Sequence, residues 1–98
     1  MADDAAVLRV AADRLESLAD RTTAGSWEVA GLLASRPEVV ARFADGSTEH
    51  VAEARARTAE WLTMLSPAVA APLAAWLRAV ADGAVPPEAL ALARALLR

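Results

Sequence analysis

The chain opens on a helical period. Val7, Leu8, Ala11, Leu15 and Leu18 recur three and four residues apart, and Arg9, Asp13, Glu16 and Asp20 fall mainly on the other side. Asp3 or Asp4 stands where a cap is needed and complements the positive end of the helix dipole. This pattern predicts a helix over 3–21, ended by Thr22, Thr23 and Gly25. The period then changes. Trp27-Glu28-Val29-Ala30 alternates as a half-buried strand does. Arg36-Pro37-Glu38 supplies a turn, and Val39 to Ala44 reads as a second strand. Asp45-Gly46 is a two-residue turn signal, because glycine tolerates positive φ. Residues 49–55 have two readings. They complete a meander as a third strand, or they open a helix that runs to Leu65, since Ala52, Glu53, Ala54 and Arg55 favour helix. A lone two-stranded hairpin is marginal in water, which favours the strand.

Helical spacing then returns. Ala59, Leu62 and Leu65 share one face of a helix over 57–65. Ser66-Pro67 is a break and a restart, with serine as cap and proline at the first helical position. Val69, Leu73, Trp76, Leu77 and Val80 form an apolar stripe over 67–82, and Trp76 is expected in the core on that stripe. Pro72 removes a donor inside this segment, which predicts a kink or a short turn over 67–71 followed by a new helix. Asp82-Gly83 stops it. The last helix spans 86–97, with Glu88 in its first turn and Arg94 and Arg98 at its end, as the dipole prefers. Its apolar residues Leu90, Leu92, Ala93, Leu96 and Leu97 cover a wide arc that needs covering, by the rest of the domain or by a second copy. The expected fold is a single α+β domain over 1–98. It has an N-terminal helix, a small three-stranded antiparallel meander within 26–55, then three helices. The alternative is an all-α helical bundle in which 49–65 is one helix.

Composition narrows the chemistry. Ninety-eight residues make room for one compact domain, and a hydrophobic content of 56% excludes intrinsic disorder. Cysteine is absent, which excludes disulfides, zinc–thiolate sites and a cysteine nucleophile. Lysine, isoleucine, asparagine, glutamine and tyrosine are absent too, while alanine occurs 27 times. The alanines gather in the helical segments and thin out over 25–47, where Val, Trp, Phe and Gly take over. That boundary between two compositions supports α+β. The net charge is −3, with arginines dispersed along the chain, so no basic stripe marks a nucleic-acid binder. No run of about 18 consecutive apolar residues occurs, and Met1-Ala2-Asp3-Asp4 is acidic where a signal peptide is basic. A cytoplasmic location without membrane contact is expected.

Three pieces in order carry a resemblance. They are Thr23-Ala24-Gly25-Ser26-Trp27, the stretch from Thr58-Ala59-Glu60-Trp61-Leu62 through Ser66-Pro67-Ala68-Val69-Ala70 to Ala75-Trp76-Leu77, and the helix from Ala89 to Leu97. Together the chain resembles a family of small uncharacterised proteins of actinobacteria (streptomycete type) and their phages. The family's turn prolines are Ala24 and Ser26 here, which makes that turn less rigid, and its tyrosine position is Trp61. The resemblance implies an α+β order with the β piece between helices, and phage or mobile-element ancestry. It implies no reaction.

Candidate sites remain few. His50 is the only histidine. If 49–55 is a strand, Glu49 and Glu53 point away from it, so a half-exposed histidine at a strand start is expected rather than a metal ligand. Glu49, Glu53 and Glu60 read as a solvated face rather than an acid–base pair. No Gly-x-Ser-x-Gly elbow and no phosphate-cradling loop occur. No catalytic residue, metal or cofactor is therefore expected, and the chain is not expected to be an enzyme. Trp27 and Trp61 either fill the core or anchor a partner, as interface hot spots do. Leu92 and Leu96 mark the face of the last helix through which a homodimer is expected to form. Arg42, Arg55 and Arg57 make a basic patch for nucleic acid or pair with Asp45, Glu53 and Glu60, and nucleic-acid binding is the less expected of the two. The functional expectation is a small interaction protein, homodimeric or bound to another protein. An inhibitor or modulator of a host protein, or a DNA-binding accessory regulator, are the alternatives.

Overall fold

The computed structural model describes residues 3–31 and 36–98. Along the chain run α1 (Asp4–Asp20), β1 (Ser26–Ala30), β2 (Glu38–Arg42), β3 (Thr48–Glu53) and α2 (Ala56–Met64). A single 3-10 turn over Pro67–Val69 then leads into α3 (Ala70–Ala81) and α4 (Pro87–Leu97). The α+β expectation holds, and the all-α alternative falls because 48–53 pairs with β2 as a strand. Local helix preference at Ala52 and Glu53 yields to ladder hydrogen bonds, and the helix begins only after Arg55. The chain divides into two compact units, one made of 1–21 with 69–98 and the other of 22–68.

The first unit is helical. Asp3 caps α1, its Oδ1 accepting the Ala5 N–H at 3.1 Å. The core is built mostly of alanine: Ala11 and Ala12 on α1, Ala74 and Ala81 on α3, and Ala89 and Ala93 on α4, joined by Leu8 and Leu77. Methyl side chains at the contacts let helix backbones approach closely, so little volume separates the layers. The buried stripe of α3 therefore runs through Ala70, Ala74, Leu77 and Ala81. Trp76 lies about 130° around the helix from that stripe and is 46% exposed, contrary to its expected place in the core. The large residues of the apolar stripe were the misleading signal, because the tight contact accepts methyls and turns the indole outward. Pro72 causes no kink. It sits in the first turn of α3, where a backbone N–H has no intrahelical acceptor, so the short turn followed by a new helix is the outcome. Arginines brace α1 against α3. Arg9 reaches Asp82 at 3.0 Å, and Arg78 reaches Asp13 at 2.8 Å and also pairs with Glu16.

The second unit is a sheet of order β1-β2-β3, antiparallel throughout, with α2 packed against β1 and β2. Val39, Ala41 and Ala59 are fully buried in it. The β2–β3 hairpin closes as the Asp-Gly signal implies. Phe43 N–H donates to Ser47 O and Gly46 N–H to Phe43 O, each at 2.9 Å, and Gly46 sits at φ +85°. Gly25, at φ +91°, approaches β2 so closely that a Cβ there would lie 2.9 Å from the Arg42 carbonyl oxygen. A register shift between Val39 and Val40 marks a bulge. Val40 aligns with His50 but Val39 aligns with Ala52, so β3 carries one extra residue.

Candidate interaction surface

Helix α2 presents two unlike sides. Ala59 is buried and Leu62 half-buried, whereas Trp61, Met64 and Leu65 are 59%, 63% and 51% exposed. Positions i, i+3 and i+4 lie together on a helix surface, so these three side chains form one patch. Leu65 was expected on the inner face with Ala59 and Leu62. It lies outward because each three-residue step falls about 60° short of a full turn, which puts Leu65 about 120° around α2 from Ala59 and about 40° from Trp61. Met64 stands three residues after Trp61, the spacing that sets the two on one side of a helix. Arg57 and Thr58 stand one turn before Trp61 and two turns before Leu65 on the same side. Among the described residues neither Arg55 nor Arg57 has an ion-pair partner (the suggested pairs with Glu53 and Glu60 do not form). No acidic residue occupies the first turn of α2.

The other expected partner contacts lie elsewhere. Trp27 is half-buried, and its indole N–H donates to the Thr23 carbonyl at 3.1 Å, which ties the 22–25 loop to the sheet. Leu92 and Leu96 are half-buried against the alanine core of their own unit. Arg42 is committed to Glu28 rather than to Asp45. Its Nε and Nη2 donate to Glu28 Oε1 at 2.9 and 2.6 Å, and Nη1 donates to the Gly46 carbonyl at 3.2 Å. These hydrogen bonds and the guanidinium charge hold the Glu28 carboxyl below its ordinary range. Asp45 is lowered for a different reason, since its Oδ1 accepts from both the hydroxyl and the amide of Ser47.

His50 lies on the polar face of the sheet. Its Nδ1 is 2.5 Å from Glu38 Oε2, and Arg36 Nη1 is 3.3 Å from Glu53 Oε2. These four residues line a shallow depression of about 300 Å³. Glu49 points away from His50 as expected, but Glu53 does not. The extra β3 residue at the bulge reverses the alternation, so Glu53 aligns with Glu38 and shares the face of His50. Among the described residues, no group of three or more His, Asp or Glu side chains is placed to hold a metal ion. By length and composition, 56–81 is apolar enough to cross a membrane, but it is interrupted as a helix between Met64 and Ala70. Comparison with protein-family models, curated proteins and solved structures finds no match.

Proposed function

We propose that this chain is a non-enzymatic interaction protein that docks a partner on the outer side of α2. The exposed patch of Trp61, Met64 and Leu65 carries this reading. Tryptophan, methionine and arginine are among the residue types enriched at protein interfaces. Action in the cytoplasm as a modulator of a host protein, with phage or mobile-element ancestry, belongs to the same proposal and rests on the family resemblance. A homodimer is the second reading. Leu92 and Leu96 support it, because their own unit covers them only in part. A DNA-binding role draws little support, because Arg42 spends its donors on Glu28 and Gly46.

Site-specific photo-crosslinking tests this. A benzophenone side chain at position 61 is compared with one at Glu88, an exposed position on α4. A discrete adduct from position 61 alone, weakened by Met64→Ser, is expected. Equal labelling from both positions overturns the docking surface. An adduct at twice the chain mass of 10.2 kDa assigns the partner as a second copy.

A further inference from the structure

Resting on the homodimer reading rather than on the α2 docking face, we infer that two copies pair through the open side of the α3–α4 layer, with Trp76 as the anchor of each. Helix α1 packs along both α3 and α4, which touch each other only slightly. The ion pairs of Arg9 with Asp82, and of Arg78 with Asp13 and Glu16, run α3 antiparallel to α1 and set it on the flank of α1 that carries those residues. Helix α4 follows after the short link 82–86, so it turns back beside α3 and takes the other flank of α1, that of Ala11. On α3, Leu73 and Val80 then lie about 100° and 120° around from buried Ala74, on the side away from Arg78, and Trp76 follows at about 160°. On α4, Leu96 and Leu92 lie about 60° and 100° around from buried Ala93, and right-handed winding turns them, not Leu90 and Leu97, toward α3. Leu73, Val80, Leu92 and Leu96 are half-buried and line a groove opposite α1, with the exposed indole of Trp76 on its rim.

Shape argues for a second copy as the occupant. The two-helix layer is about 17 Å long and about 20 Å wide. A single partner helix, about 10 Å across, fills the groove and leaves the rim and its indole in water. A second α3–α4 layer covers both. One surface carries a projecting ring with a hollow beside it, so a two-fold axis seats each Trp76 in the groove of the other copy, the self-complementarity of an isologous interface. Charge argues the same way. The only charged residue of α3 is Arg78, and it is turned to Asp13 and Glu16. On the same side of α4 the one charge is Glu88, at the corner of the face in the first turn. The uncharged centre gives a charged partner nothing to pair with and suits an equally uncharged face, which this chain itself supplies.

The test is sedimentation equilibrium of the full chain beside Trp76→Ser, Ala95→Glu and Ala79→Glu. Ala95 is exposed on the grooved side of α4, and Ala79 is exposed on the flank of α3 away from α4. Circular dichroism confirms that each variant folds. The expected result is a dimer whose dissociation constant rises about thirtyfold or more in Trp76→Ser and in Ala95→Glu and stays unchanged in Ala79→Glu. In a mixture of isotope-labelled and unlabelled chains, the Trp76 ring should show cross-copy NOEs to the methyls of Leu92 or Leu96. A dimer that withstands both changes, or that Ala79→Glu weakens as much, overturns this interface and leaves the homodimer reading standing. A chain that is monomeric at every concentration overturns both. Binding of that monomer to phosphatidylcholine vesicles, lost in Trp76→Ser, assigns the face to a lipid surface instead.

Discussion

Replacing Gly25 by alanine should loosen the sheet unit far more than the same change at Gly46. Both glycines have left-handed φ, +91° and +85°. That conformation costs an alanine about 1–2 kcal/mol at either position. The surroundings differ. At Gly46 a new Cβ meets nothing within 4 Å, so the backbone term stands alone. At Gly25 it lies 2.9 Å from the Arg42 carbonyl oxygen and 3.3 Å from two ring carbons of Phe43. The oxygen belongs to β2, held in register between Ser26 and Thr48, so it cannot swing aside as a flexible side chain would. Overpacking of this kind adds about 1–3 kcal/mol. Amide hydrogen exchange in β2 reads the difference directly. Gly25→Ala should lower protection a further 5- to 150-fold or so beyond Gly46→Ala, at about tenfold per 1.4 kcal/mol. Equal loss of protection in the two variants refutes the reasoning, since it means the loop before β1 is not seated against the Arg42 carbonyl.

Glu28 is held low by Arg42, so its stabilising contribution is present above the ordinary glutamate value of 4.5 and is lost as pH falls through the depressed folded value. Carboxyl NMR should show Glu28 titrating below 4.5 in the native chain and returning toward it in Arg42→Met. In the helical unit, Leu77→Ala should cost about 2–5 kcal/mol by denaturant unfolding, because Leu77 is fully buried. Ala12→Leu should cost about 1–3 kcal/mol in the same assay, because the alanine contact has no room for a larger side chain. Asp3→Ala should cost about 1 kcal/mol through the lost cap, with exchange rising first at the amides of the opening turn of α1.

Local chemistry made much of the fold legible. The three- and four-residue spacing from Val7 to Leu18 marked α1, and Asp45-Gly46 marked the hairpin. The candidate surface was only partly legible. Trp61 stands out as a large ring in a small chain, but nothing in the sequence singles out Met64, and three-residue spacing groups Leu65 with the inward Ala59 and Leu62. Hydrophobicity alone does not say which side of an apolar helix a neighbour covers. Trp76 shows the same limit, since a bulky residue on an apolar stripe reads as core until the spacing between helices is known.

The division between sequence and structure follows from the range of the interactions. Periodicity, caps and turn residues act over a few positions, so the sequence by itself determined α1, the last helices and the Asp45-Gly46 turn, and left 49–55 open between strand and helix until pairing with β2 decided it. Packing, register and pairing join residues far apart in the chain, and only the tertiary structure decided them. It chose alanine rather than tryptophan for the helix contacts. It turned Glu53 toward His50 by one extra residue at a bulge. It tied Arg42 to Glu28 and left Trp61, Met64 and Leu65 facing solvent.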